Sequence, residues 1–156
     1  MPKRAFASGC VHINRIVERA TESPPFFFIS SFPYTDTLKV LEKWGPGCHF
    51  LGHGLDSSID ELETILEMEQ ARNPDESPIL ALFTEFPSNP LLRSPDLARL
   101  RALADKYDFL IVVDDSIGNF VNVETLPLAD IVVTSLTKLF SGDSNVMGGR
   151  YAVAFL

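Results

Sequence analysis

Phe109-Leu110-Ile111-Val112-Val113-Asp114-Asp115 is the stretch on which the fold turns: an unbroken apolar run stopped by two acids. A strand with one wet face alternates apolar and polar residues, whereas an unbroken apolar run of strand length suits a strand covered on both faces. The same pattern recurs in Ile79-Leu80-Ala81-Leu82-Phe83 and in Ile131-Val132-Val133; Phe26 to Phe32, apolar from Phe26 to Ile29, reads as another short buried strand, with a shorter candidate at Cys48 to Leu51. Helical periodicity fills the spaces between them. Leu38, Leu41 and Trp44 share one face, in a segment ended by Gly45-Pro46-Gly47. Ile59, Leu62, Ile65 and Leu66 form a second stripe, opened by a capping box at Ser58 and Glu61 and running to about Gln70. Leu97, Leu100, Leu103 and Ala104 form a third, behind Ser94-Pro95-Asp96, where Ser is read as the cap and Pro as the first helical residue. Buried strands alternating with helices predict an α/β fold, a mostly parallel sheet covered by helices on both sides.

Bulk composition narrows the function classes. The chain has 156 residues, 46% hydrophobic and 22% charged, which is enough for one globular domain with a real core. A formal charge of -8 without a basic stripe argues against a nucleic-acid partner. No apolar run approaches the ~20 residues of a membrane span, so no membrane partner is expected either. Cys10 and Cys48 form no CxxC pair, which makes a reducing, cytoplasmic setting the default. Residues 1–17 carry Lys3, Arg4 and Arg15 with no acid before Glu18, a weak resemblance to an organelle leader, and are read in preference as an untidy, unpatterned start. No repeat or low-complexity tract appears.

In a parallel sheet, ligands bind beyond the carboxyl ends of the strands. Three strand ends here carry polar clusters: Glu85 with Ser88-Asn89-Pro90, then Asp114-Asp115-Ser116, then Ser135 to Lys138 with Ser141-Gly142. A lysine amine, carboxylates, an amide and hydroxyls would converge on one rim. An enzyme that holds an aldehyde cofactor as a Schiff base needs this inventory: the amine, an acid beside the pyridine nitrogen, and donors for a phosphate. A buried Asp anion favours the protonated pyridine by charge pairing, and Asp114 is placed for that. Ser135 and Thr137 flank Lys138 closely enough to offer hydroxyls to a phosphate.

The runs Phe32-Pro33-Tyr34-Thr35-Asp36-Thr37, Glu85-Phe86-Pro87-Ser88-Asn89-Pro90, Val113-Asp114-Asp115-Ser116 and Ser135-Leu136-Thr137-Lys138-Leu139-Phe140-Ser141-Gly142, followed by Asn145-Val146-Met147-Gly148-Gly149, resemble in order and spacing the Cys/Met-metabolism pyridoxal-phosphate enzymes. Within these fold-type I transsulfuration enzymes, the likeness is greatest to the fungal-type cystathionine gamma-synthases. The resemblance implies a cofactor, pyridoxal 5'-phosphate, with Lys138 as the Schiff-base and proton-shuttling lysine. It implies Asp114 at the pyridine nitrogen, Tyr34 stacked on the ring, Ser135 and Thr137 on the phosphate, Asn89 near the phenolic oxygen, and Glu85 in the cofactor site as the acid opening its motif. The implied activity is gamma-replacement on O-acylhomoserine by cysteine, giving cystathionine; a cystathionine or methionine gamma-lyase, or a non-catalytic remnant, are the alternatives. Small amino-acid substrates and a homo-oligomer are the partners it implies.

The same resemblance divides the chain into residues 1–30, which match nothing, and residues 31–156, part of the cofactor-binding large domain, without the small C-terminal domain or the upstream Gly-rich phosphate loop. Asp115 stands where relatives usually carry Asn, placing a second negative charge beside Asp114. Read singly, each residue has a plainer explanation. A lone lysine is usually solvated, Asp114 would cap a loop, Tyr34 would be a half-buried aromatic, and Ser88-Asn89-Pro90 would be a turn. Cys48, His49 and His53 have a metal-like spacing, but a strand and a Gly loop would not hold them together, so no metal site is expected. Gly142 to Gly149 lacks a Walker lysine.

Overall fold

The computed structural model describes residues 26–30, 33–44, 48–52, 55–143, 145 and 147–154. The unpatterned start over residues 1–25, Phe32, Gly45-Pro46-Gly47, His53 and Val146 lie outside the described residues. A sheet of six strands has the order β2-β1-β3-β4-β5-β6. The strands are β1 (Phe26–Ser30), β2 (Cys48–Leu51), β3 (Ile79–Glu85), β4 (Leu110–Asp114), β5 (Ile131–Ser135) and β6 (Gly149–Val153). The first five are mutually parallel, and β6 returns antiparallel on β5. Helices α1 (Thr35–Trp44), α2 (Asp56–Arg72), α3 (Leu97–Tyr107) and the single turn α4 (Asn119–Asn122) connect them. The expected mostly parallel α/β sheet is present, with the antiparallel edge strand as an addition.

The two faces of the sheet explain the uninterrupted apolar runs. On one side α2 and α3 bury Ile59, Leu62, Leu66, Leu97, Leu100, Leu103, Ala104 and Tyr107 against Leu82, Ile111, Val113 and Val132. On the other, Leu41 of α1 packs on Ala81, Phe83 and Val112. Successive residues of β3 and β4 therefore point into different apolar layers, which keeps both strands apolar up to Thr84-Glu85 and Asp114.

Two helix starts differ from expectation. Ser58 does not cap α2: the helix begins at Asp56 after Leu55, whose carbonyl already accepts from the Ser58 and Ile59 amides, and Ser58 is buried inside the first turn. The cap of α3 is Asp96, whose Oδ1 accepts from the Arg99 amide at 3.0 Å, so Ser94 and Pro95 precede the helix. In both cases the hydroxyl lay within a residue or two of a better solution: an earlier backbone turn in α2 and a nearer carboxylate in α3. Helix α2 also outruns its expected end by two residues, to Arg72. The Gln70 side chain then ties its exit by donating to the Asn73, Pro74 and Glu76 carbonyls. Strand β1 is described over Phe26–Ser30, and the rest of the expected run to Phe32 lies outside the described residues.

Candidate active site at the strand ends

The connection order reverses between β1 and β3: from β1 the chain reaches β2 on one side, and β3 pairs on the other. That switch point opens a crevice beyond the carboxyl ends, where flanking loops diverge. The loop after β1 supplies Tyr34, β3 ends on Glu85, and β4 ends on Asp114 directly opposite Glu85 in register. After β5 the chain makes one wide π-helical turn, Thr137–Ser141, closed at Gly142 with φ +68°, a conformation that suits glycine. Lys138 rides on that turn, and π-turns of this kind recur at functional sites.

Tyr34, Glu85, Asn89, Asp114 and Lys138 line one pocket, together with Pro87, Ser116 and Ile117. The Lys138 Nζ stands 4.7 Å from the centroid of the Tyr34 ring, within cation–π range. Asp114 Oδ1 accepts from the Ser116 amide at 2.9 Å, and the Ser116 hydroxyl in turn accepts from the Ser135 amide at 2.8 Å. Ser116 thus links the ends of β4 and β5 and fixes the rotamer of Asp114. Both expected phosphate residues, Ser135 and Thr137, stand outside the pocket lining. Thr137 Oγ1 accepts from the Gly148 amide at 3.2 Å, and the Leu136 amide donates to the Gly148 carbonyl at 2.9 Å, which pins the returning chain to the lysine turn. Its hydroxyl proton stays available to an anion, since a hydroxyl can accept and donate together.

Asp115 takes no part in the pocket. It is 1% exposed, points to the opposite layer from Asp114, and accepts a short hydrogen bond from the Thr134 hydroxyl. Glu85 has the perturbed carboxyl. Burial pushes it above its ordinary value, Asp114 adds to the rise, and the amides of Tyr34 and Asn89 with the Lys138 charge act the other way. Ser116, Pro87 and Ile117 were not picked out individually from sequence; the signal for Ser116 was its place beside Asp114-Asp115 in one of the matched runs. Cys48 is half-buried beneath α1, and His49 lies 3.6 Å from Glu61. No described helix is long and apolar enough to cross a membrane.

The donor set fits a flat, anionic aldehyde cofactor. It offers one amine, a carboxylate with a fixed rotamer, an aromatic face and a carboxamide, all opening on one crevice at the switch point. Comparison with known proteins agrees. Residues 3–154 match the family described as Cys/Met metabolism PLP-dependent enzyme. A cystathionine gamma-synthase-like enzyme of Amanita muscaria is 73% identical over 118 residues, covering 76% of this chain and 19% of the relative. The cystathionine gamma-synthase of Neurospora crassa is 60% identical over 119 residues, covering 76% of this chain and 18% of the relative. The chain thus spans about a fifth of the length of these curated relatives. The crystal structure of metB from Corynebacterium glutamicum superposes with a TM-score of 0.69 at 20% identity, over 93% of this chain and 36% of that one, a likeness of fold.

Proposed function

The chain belongs to the Cys/Met-metabolism pyridoxal-phosphate-dependent enzymes, and from that membership we propose that it forms the cofactor-holding core of a gamma-replacement enzyme. In that reaction the cysteine sulfur forms a bond to the gamma carbon of an O-acylhomoserine, the carbon–oxygen bond breaks, and the acyl group leaves as its acid, giving cystathionine. The observation that carries the proposal is the convergence of Lys138, Asp114, Tyr34 and Asn89 on one pocket from four separate strand ends.

When bound, pyridoxal phosphate supplies an electron sink that stabilises negative charge on the substrate's carbons. Lys138 would hold the aldehyde and carry protons between substrate carbons, since its amine is the one on the longest, most flexible stem among the described residues that line the pocket. Asp114 would pair with the pyridine nitrogen, its Oδ1 oriented by the Ser116 amide. The Tyr34 ring presents a face for stacking, and Asn89 a carboxamide for the phenolic oxygen. Ser135 and Thr137, which flank Lys138 outside the pocket lining, would offer their hydroxyl protons to the phosphate. Pro87 and Ile117 give the pocket an apolar wall that strengthens the charge pairing inside it. Small amino acids as substrates, a cytoplasmic setting and a homo-oligomeric assembly belong to the same proposal.

The test is direct. Purified chain is mixed with pyridoxal phosphate, O-acylhomoserine and cysteine, and cystathionine is measured. Formation that Lys138→Ala abolishes supports the assignment. Ammonia and a keto acid released from cystathionine, without synthesis, would assign a gamma-lyase instead.

A further inference from the structure

We propose that Glu85 is a positioning residue, a two-armed clamp whose carboxylate ties the loop after β1 to the loop after β3 and so sets the gap between the Tyr34 ring and Asn89. The inference rests on the cofactor assignment above for what enters that gap, but the clamp itself is visible in the chain. Glu85 Oε1 accepts from the Tyr34 amide at 2.6 Å, and Oε2 accepts from the Asn89 amide at 3.1 Å. Both donors sit just beyond the strands, where no sheet ladder can take their N–H groups.

Side-chain chemistry selects glutamate for this task. A carboxylate carries an acceptor on each arm, whereas glutamine carries one acceptor and one donor, so glutamine satisfies a single amide and sets its NH2 against the other. Bonds from an N–H to a charged carboxylate are also roughly twice as strong as neutral ones. Because both arms are committed to backbone amides, Glu85 acts on the cofactor through Tyr34 and Asn89, a different role from the direct contact its place in the motif implied.

The clamp is closed when Glu85 is ionised. Protonation turns one acceptor into a hydroxyl donor facing an N–H. The titratable groups around it are Asp114 at the end of β4, Lys138 on the turn after β5, and the Tyr34 phenol on the loop after β1. Burial and Asp114 raise the Glu85 carboxyl above its ordinary range, so opening begins at a higher pH than an unperturbed glutamate would set.

The experiment has two arms on the 156-residue chain. In the cofactor-free chain, amide resonances are followed by NMR through an acid titration. The Tyr34 and Asn89 amides should share one transition, with a midpoint above the ordinary glutamate value, which Glu85→Gln removes and Asp114→Asn retains. In the second arm, pyridoxal phosphate affinity is read from absorbance. Glu85→Gln should weaken it about tenfold and Glu85→Ala about a hundredfold, the loss of one and of two charge-assisted bonds. Borohydride should still trap the full complement of cofactor at saturation, since Lys138 is intact. Wild-type affinity should fall as the pH drops through the shared transition, and Glu85→Gln should flatten that limb. Unlinked amide titrations, or wild-type affinity in Glu85→Ala, would overturn the proposal; so would loss of trapping at saturation, which would make Glu85 a direct ligand. Shared amide titration in a wild-type chain that traps no cofactor would fault the cofactor assignment and leave the clamp standing.

Discussion

Replacing Gly118 with alanine puts a methyl carbon where the Phe86 carbonyl oxygen already sits. A Cβ at that position lies 2.7 Å from Phe86 O, 3.3 Å from Pro87 Cδ and 3.4 Å from Val123 Cγ2. Ordinary carbon–oxygen contact is about 3.3–3.6 Å, so a gap of roughly 0.6 Å or more must open. The obstacle is backbone, and both sides are anchored: the Phe86 amide donates to the Asp114 carbonyl at 2.9 Å, and the Asn119 amide to the Asp115 carbonyl at 2.7 Å. Overpacking of this kind costs about 1–3 kcal/mol. At roughly 2–4 °C per kcal/mol for a domain of this size, Tm should fall by about 2–12 °C in a thermal melt followed by circular dichroism. The strain lies between the Asp114 loop and the Pro87 wall of the pocket, so pyridoxal phosphate affinity should fall as well. Gly142→Ala is the contrast. Among the described residues nothing lies within 4 Å of a Cβ there, and its cost is the left-handed backbone at φ +68°, about 1–2 kcal/mol. A Gly118→Ala chain that melts within about 1 °C of wild type would refute the close-approach argument.

Asp96→Ala should lower stability by about 1 kcal/mol in urea unfolding, because it removes the side-chain cap of α3, while Ser94→Ala should be close to neutral; the reverse order would restore Ser94 as the cap. Arg150 has a buried Nη1 with no hydrogen-bond partner among the described residues and a guanidinium 4.0 Å from the Phe120 ring centroid, so Arg150→Met should hold or raise Tm, and a clear drop would show that the cation–π contact outweighs the buried donor. The raised Glu85 carboxyl means the folded chain holds that proton more tightly than the unfolded one. Its contribution to stability is therefore greatest below the ordinary glutamate pKa and is lost as the pH rises through the raised value, so wild type should lose stability relative to Glu85→Gln across that window. A relative gain with rising pH would contradict the burial of Glu85. Fold stability and cofactor affinity thus respond to this one proton in opposite directions.

Most of the sheet was legible because Phe109 to Val113, Ile79 to Phe83 and Ile131 to Val133 are apolar throughout, and a strand buried on both faces has no alternative use for such a run. The helical stripes were legible for a related reason, since Leu62, Leu66 and Leu100 recur at the spacing that one buried face demands and each is fully buried. The end points were less so. Capping is decided by which of several nearby acceptors reaches an amide first, and neither Ser58 nor Ser94 announces that a neighbour will do it. Strand β6 was missed because Gly149-Arg150-Tyr151-Ala152-Val153 has no strong pattern and forms by pairing with β5, a tertiary cause.

At the site, the strand-end clusters and the motif order brought out Tyr34, Glu85, Asn89, Asp114 and Lys138, which share the pocket. The secondary contacts were not readable. That Ser116 orients Asp114, that Thr137 receives the Gly148 amide, and that Asp115 turns to Thr134 all depend on side-chain directions alternating across β4 and β5. The second acid therefore does not add to the pocket as its neighbouring position suggested.

The central claim is that this pocket holds pyridoxal phosphate on Lys138. The chain is incubated with the cofactor, reduced with borohydride, digested and mapped by mass spectrometry. A pyridoxyl phosphate adduct on Lys138, absent when Asp114→Asn and Tyr34→Ala together lower occupancy at limiting cofactor, is the predicted result. An adduct on Lys39, Lys43 or Lys106 in place of Lys138, or none at all, would contradict it.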